Sequence, residues 1–411
     1  MAIVIAPAMT DRMKPMPPTD MLPTLSLSLS QYHFERLSDL PRHLPGLLDC
    51  PARELHHHLT GPTLLHLPGR RQPELFVSVL LHGNEDVGWV AVQQLLREAL
   101  AHRQDRLPRA LTVLIGNVQA ARQGLRRLDG QPDHNRVWPG AVEYLGSPEQ
   151  LLMAEVHRLQ YERGLFAAID LHNNTGLNPH YGIVCQNTPA HLHLARLFSR
   201  TVVLFRGLPG TQTAAFTPLC PAVAVECGKP GVAANEAEAA RFLAAALHLS
   251  EFPDHGRQEG DLDLYHTLAR VKVREEVRFD FAPPEGIQED IAPLPPGCDL
   301  WLDARLDRLN FRELAAGRRF GRSRHPMPLR AEDEAGADIT ARCFQVREGE
   351  LRLSRAAMPA MLTLDARVVR QDCLCYLMER LPMARGRNPA AARSTASESE
   401  PESEPASTQA C

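Results

Sequence analysis

The stretch ELFVSVLLHG (residues 74–83) is apolar at odd and even positions alike, and so are ALTVLIGN (110–117), LFAAIDLHN (165–173), HYGIVCQ (180–186), TVVLFRG (201–207) and AVAVECG (222–228). Strands of this kind have no face suited to water, so they call for a sheet covered on both sides. What lies between them supplies the cover. Residues 86–103 place Val90, Leu95, Leu96 and Leu100 roughly along one helical face. Ser147-Pro148-Glu149 opens a helix to about Gly164 as N-cap, first-turn proline and early acid, and 189–200 and 235–250 complete the set. The alternation predicts an α/β sheet layered by helices.

A chain of 411 residues exceeds the ~250–300 residues that one core usually serves. The texture changes after residue 257, where DLDLYHTLARVKVREEVRFDF and CFQVREGELRLS (343–354) bring short alternating pieces. The expected division is a leader over 1–24, an α/β domain over 25–257, a smaller β-rich domain over 258–383 and an acidic tail over 384–411. The two ends hold little that can be buried, and the tail's Ser/Glu composition points to solvation.

The formal net charge of -4 provides no basic field for nucleic acid or an anionic membrane. No apolar run is long enough to span a bilayer, and the opening residues lack the charge and apolar order of a secretion signal. The nine cysteines are scattered singly apart from Cys373 and Cys375, which suits reduced thiols and a cytoplasmic setting.

In open α/β sheets, ligands collect beyond the carboxyl ends of the strands. The apolar runs deliver ionisable groups at that place: His82 and Glu85 after the first, His172 after LFAAIDL, Glu226 at the end of AVAVE. Two histidines and one carboxylate are a ligand set of catalytic zinc, with one position left to water. His82, Glu85 and His172 therefore form the candidate site for one zinc ion per chain. Asp170, two residues before His172 and on the same side of its strand, can orient an imidazole through its second nitrogen. Glu226 is the candidate to relay a proton between attacking water and leaving nitrogen. In GNVQAARQGLRRLDGQPDHNRVWPG (116–140), Asn135 and Arg136 make a receptor for a substrate carboxylate, and Arg126 or Arg127 can stabilise an oxyanion.

These pieces in this order, HGNE, then GN with D-x-N-R, then DLHN, then VECG, resemble the succinylglutamate desuccinylase/aspartoacylase branch of the zinc carboxypeptidase superfamily. The resemblance covers about residues 60–250. It implies a zinc-carboxypeptidase-like mixed sheet with a smaller β-rich C-terminal domain, and a zinc-dependent deacylase of N-acyl amino acids. Carried over residue by residue, it makes His82, Glu85 and His172 the zinc ligands and Asn135 and Arg136 the carboxylate binders. Glu226 becomes the general base and Arg127 the carbonyl-polarising arginine, although the interval from Arg127 to D-x-N-R is one residue long. His180 and Tyr181, in HNNTGLNPHYG, are expected to line the pocket. Nothing basic lies between Arg206 and Lys229, where aspartoacylases place an arginine for a second carboxylate, so a dicarboxylic product is not expected. Nor can the tyrosine contributed by the aspartoacylase C-terminal domain be matched from sequence. A metallocarboxypeptidase for short peptides would use the same groups, and a zinc-stabilised binding protein without turnover would have no need of Glu226.

Two other clusters attract notice. His56, His57, His58 and His66 in RELHHHLTGPTLLH converge poorly on one ion if the segment is extended. Cys227 should face away from Glu226 as a buried, inert thiol.

Overall fold

The computed structural model describes residues 27–255, 260–283 and 294–381; the leader 1–24 and the tail 384–411 lie outside these residues. The N-terminal half is built on eight strands. They are β1 (Ser30–His33), β2 (Thr63–Leu67), β3 (Glu74–Val79), β4 (Leu111–Ile115), β5 (Leu165–His172), β6 (Tyr181–Val184), β7 (Thr201–Leu204) and β8 (Ala222–Glu226). The later strands are β9 (Asp263–Val273), β10 (Phe279–Phe281), β11 (Leu300–Leu302), β12 (Arg319–Ser323), β13 (Leu329–Glu332), β14 (Phe344–Arg347), β15 (Glu350–Leu353), β16 (Met358–Ala360) and β17 (Cys375–Arg380).

The main sheet has the order β1-β2-β4-β3-β5-β8-β6-β7-β9-β17-β16, with β13 paired to β9. Its centre, β4-β3-β5-β8, is parallel, whereas β6 runs antiparallel to β8. Strands β2 to β5 and β8 are almost wholly buried, as their doubly apolar sequences require. This is the mixed, helix-layered sheet expected of the fold, with a second, five-stranded sheet β10-β11-β12-β15-β14 in the C-terminal part.

The main sheet does not stop at residue 257. Strand β9 continues it, parallel to β7 with Val203 opposite Tyr265, and carries β17 and β16 beyond. One apolar core reaches as far as Leu264 and another starts at Ala269, so the two halves of the chain meet along a single strand. That continuity brings C-terminal side chains to the site.

Helix Pro148–Arg163 starts as expected, the Ser147 hydroxyl accepting from Gln150 N–H. Helix Val87–Ala101 differs from the sequence reading: Val92, Leu96 and Ala99 are buried at i, i+4 and i+7, while Val90, Leu95 and Leu100 flank that stripe half-buried. Strand β2 holds His66, whose Nδ1 meets the Thr112 hydroxyl at 2.9 Å inside the sheet. Residues Ala52–His57 form a 3-10 helix rather than an extended segment.

Candidate metal centre and cavity

The chain leaves β3 at Val79, three residues before His82, because Leu80 takes a left-handed conformation at φ 55°. Gly83 then passes so close to helix Val118–Gln123 that a Cβ would lie 2.2 Å from the Ala121 nitrogen. Only glycine lets the HGNE turn sit there, and the turn closes with Glu85 N–H donating to the His82 carbonyl at 3.1 Å. Strands β5, β8 and β6 then align His172, Glu226 and Tyr181 as opposite neighbours in one row.

Among the described residues, His82, Glu85 and His172 form a buried group whose ligand atoms lie within 4.8 Å of one another. Nδ1 of His82 is 2.9 Å from Glu85 Oε1, and Nδ1 of His172 is 2.7 Å from Glu85 Oε2. The outer nitrogens face carboxylates as well: Nε2 of His82 lies 3.1 Å from Asp133 and Nε2 of His172 lies 2.6 Å from Asp170. An imidazole that donates its outer proton to an aspartate presents a lone pair inward. Two such lone pairs and a carboxylate, buried and converging, are satisfied by a cation between them, whether protons on the rings or a metal ion. The donor set of two imidazoles and one carboxylate fits a divalent metal ion, with the aspartates holding each ring in place.

The ionisation pattern agrees. Burial and the Arg126 charge oppose protonation of His82, yet the Glu85 and Asp133 carboxylates outweigh them and raise its pKa. Burial likewise opposes a charge on His172, but Asp170 and Glu85 hold its pKa well above the usual value. Positive charge is favoured at the spot where the ligand atoms meet. Glu226 is different: burial pushes its carboxyl up to about 7, against the lowering influence of His172. Its one side-chain partner is Asn174, at 3.4 Å.

A cavity of about 810 Å³, its mouth included, joins these groups to Arg126, Asn135, Arg136 and Tyr181. The D-x-N-R turn is shaped by Asp133, whose carboxylate accepts the Asn135 backbone N–H at 2.8 Å. Asn135 lines the cavity with both ends of its amide engaged: Nδ2 donates to Asp170 at 2.9 Å and Oδ1 accepts from Gln212 N–H at 2.8 Å. Arg136 donates to the Asn135 carbonyl at 2.8 Å and to Asp372 at 3.0 Å.

Two residues fall elsewhere than the sequence predicts. Arg127 points out of the cavity and donates to the Gln131 carbonyl at 2.7 Å, because adjacent residues in the turn diverge. Its neighbour Arg126 lines the cavity instead, bonding Asp133 through Nε at 2.9 Å with NH1 3.8 Å from Glu85. His180, the residue just before β6, lies outside the cavity lining, bonded to Asn235 at 2.8 Å and stacked on Phe198. Cys227 is buried in the apolar core of the N-terminal half. His56, His57, His58 and His66 form no metal-ligating group among the described residues.

Sequence reading missed Asp133 as the partner of His82, although it stands inside the DHNR motif. It also missed Asp372 and Tyr376, which reach the cavity wall across 236 or more positions from Arg136. Asp372 is buried among Arg126, Arg136 and Arg270. Burial works against its charge, but Arg136 and Arg126 hold its carboxyl well below the usual range. Tyr376 places a tyrosine of the C-terminal part on the cavity wall.

A mixed, helix-layered sheet with a His/Glu/His group at its strand ends places the chain in the zinc-carboxypeptidase-like fold class. Residues 71–252 match the family described as Succinylglutamate desuccinylase/Aspartoacylase catalytic domain, and that segment contains all four motifs. The succinylglutamate desuccinylase structure from Vibrio parahaemolyticus shares the fold with a TM-score of 0.51 at 11% identity, over 78% of this chain and 86% of that one. The succinylglutamate desuccinylase from Chromobacterium violaceum matches with a TM-score of 0.47 at 19% identity, covering 76% of this chain and 86% of its own. Murine aminoacylase 3 matches with a TM-score of 0.47 at 16% identity, covering 76% and 97%. No curated protein matches the sequence.

Proposed function

We propose that this chain is a zinc-dependent amidohydrolase that removes the acyl group from an N-acyl amino acid or a similar small carboxylate. The observation that carries the reading is the meeting of His82, Glu85 and His172 with Glu226, Arg126 and Arg136 around one cavity. His82, Glu85 and His172 would hold the ion. When bound, zinc supplies Lewis acidity that polarises a carbonyl and acidifies a water molecule.

The chain's own residues do the rest. Arg136 anchors the substrate carboxylate through its guanidinium. Arg126, held by Asp133 beside Glu85, faces the carbonyl oxygen on which negative charge develops. Glu226, with a pKa raised by burial, takes a proton from the water that attacks the carbonyl carbon. It returns that proton to the leaving nitrogen as the C–N bond breaks, so the products are a carboxylate and an amine. Asn135 serves as a positioning residue, fixing Asp170 and through it His172.

A cytoplasmic setting belongs to the same reading, supported by the eight described cysteines, all of them free. No helix among the described residues is long and apolar enough to cross a membrane.

The test combines the metal content of the purified protein with hydrolysis of acyl amino acids, dipeptides and longer peptides. One zinc per chain and preference for acyl amino acids are expected. Preference for peptides would make it a metallocarboxypeptidase. Tight binding of amino-acid derivatives without hydrolysis of any amide would make it a binding protein.

A further inference from the structure

The wall of the cavity beyond the arginines is largely apolar, with Thr211, Thr213 and Thr267 among its hydroxyl-bearing members. On β8, Ala224 lies two residues before Glu226 and so faces the same side of the sheet. Across the strands its opposite neighbour is Ile183 on β6, and opposite Ile183 is Val203 on β7. These three side chains form a floor one step along the sheet from the Glu226–Tyr181 row. Phe205, Met361 and Met378 also line the cavity, as does Thr267, which pairs with Met378 across β9 and β17. Phe205 packs edge-on to Tyr376 with centroids 4.9 Å apart, and the Tyr181 hydroxyl is spent on the Met361 sulfur at 2.7 Å.

The guanidiniums lining the cavity are those of Arg126 and Arg136. Asp133 engages the first through two nitrogens, and Asp372 engages the second. One guanidinium face suffices for one substrate carboxylate, and among the described residues no further Arg or Lys lines the cavity. A second carboxylate placed there would lose its water with no cation in return, which is unfavourable. An aliphatic or aromatic group there would instead gain from leaving water.

We infer that the preferred substrate is an N-acyl amino acid with a single carboxylate and an apolar side chain or acyl chain seated on the Ala224–Ile183–Val203 floor. This inference rests on the deacylase reading of the same site. It makes Ile183 and Val203 specificity-determining residues.

The zinc-loaded protein is assayed on N-acetyl-leucine, N-acetyl-phenylalanine and N-hexanoyl-glycine against N-acetyl-glutamate, N-acetyl-aspartate and N-succinyl-leucine. At least about a tenfold advantage in kcat/KM is expected for the best apolar substrate over every diacid. Equal or better turnover of a diacid overturns the inference while leaving the deacylase reading intact. Ile183→Arg, at a half-buried position, is expected to reverse the order by lowering apolar and raising diacid kcat/KM. Calorimetry of free leucine, phenylalanine and glutamate gives a readout independent of activity. If no amide in the panel is cleaved, the deacylase reading fails and the substrate inference with it, whereas glutamate binding as tightly as leucine and phenylalanine overturns the apolar floor alone.

Discussion

Replacing Glu226 by glutamine should make the protein a worse catalyst and a more stable molecule. The buried carboxyl has a pKa raised from 4.5 to about 7. Between those values the folded chain binds more protons at this site than the unfolded chain does. Stability therefore falls as pH rises through that window and then levels off. At about 1.4 kcal/mol per pH unit, the cost of burying the charged form comes to about 3 kcal/mol above pH 7. Glutamine has the same shape and no charge to bury. Metal-free Glu226→Gln protein should thus match the parent at pH 4.5 and exceed its stability by about 3 kcal/mol at pH 8. Denaturant unfolding of both proteins at the two pH values measures this directly, and the difference between them isolates residue 226 from the titration shared by both chains. With zinc bound the gap should narrow, since a nearby cation favours the carboxylate. Turnover of the zinc-loaded variant should drop by about 10²–10⁴ with metal content unchanged. A stability difference that is the same at both pH values would refute the burial argument, and undiminished turnover would refute the role of Glu226 in proton transfer.

The orienting aspartates give a second test: Asp133→Asn or Asp170→Asn should each weaken zinc binding by about 10–100-fold in competition with a chromophoric chelator, and unchanged affinity would deny them that role. Asp372→Ala should destabilise the protein by about 3–5 kcal/mol in urea, because Arg136 and Arg270 lose a shared buried partner. Asp372 has a depressed pKa, so its contribution is present above the ordinary carboxyl range and lost as pH falls below it. The variant should accordingly show less loss of stability than the parent on acidification below pH ~4. Arg136→Gln should raise KM for acyl amino acids by about 10–100-fold while sparing their carboxamide analogues. Arg127→Gln, at a residue that faces away from the cavity, should leave both within about twofold.

Much of the fold and the metal centre could be read from the chain because the informative patterns are local. A run such as AVAVE or LFAAIDLH shows its double-sided burial in its own letters, and the ionisable residue at its end marks the strand terminus where sites form. HGNE and DHNR are short turns whose contacts close within three residues, His82 with Glu85 and Asp133 with Asn135. Side-chain direction in turns was less legible. Arg126 and Arg127 are identical in type and adjacent, and only the packed loop distinguishes the one that enters the cavity from the one that caps the Gln131 carbonyl.

Sequence by itself determined the layered α/β sheet and the residues from which a metal site can be made. Tertiary structure alone decided how the second half of the chain takes part. Strand β9 joins the catalytic sheet through backbone hydrogen bonds that carry no residue signature, and in doing so it delivers Asp372 and Tyr376 to the cavity. The apolar floor has the same origin: Ala224, Ile183 and Val203 belong to three different strands and become one surface only when those strands lie side by side. Period and composition describe a strand's faces, but which strands are neighbours is a property of the whole fold.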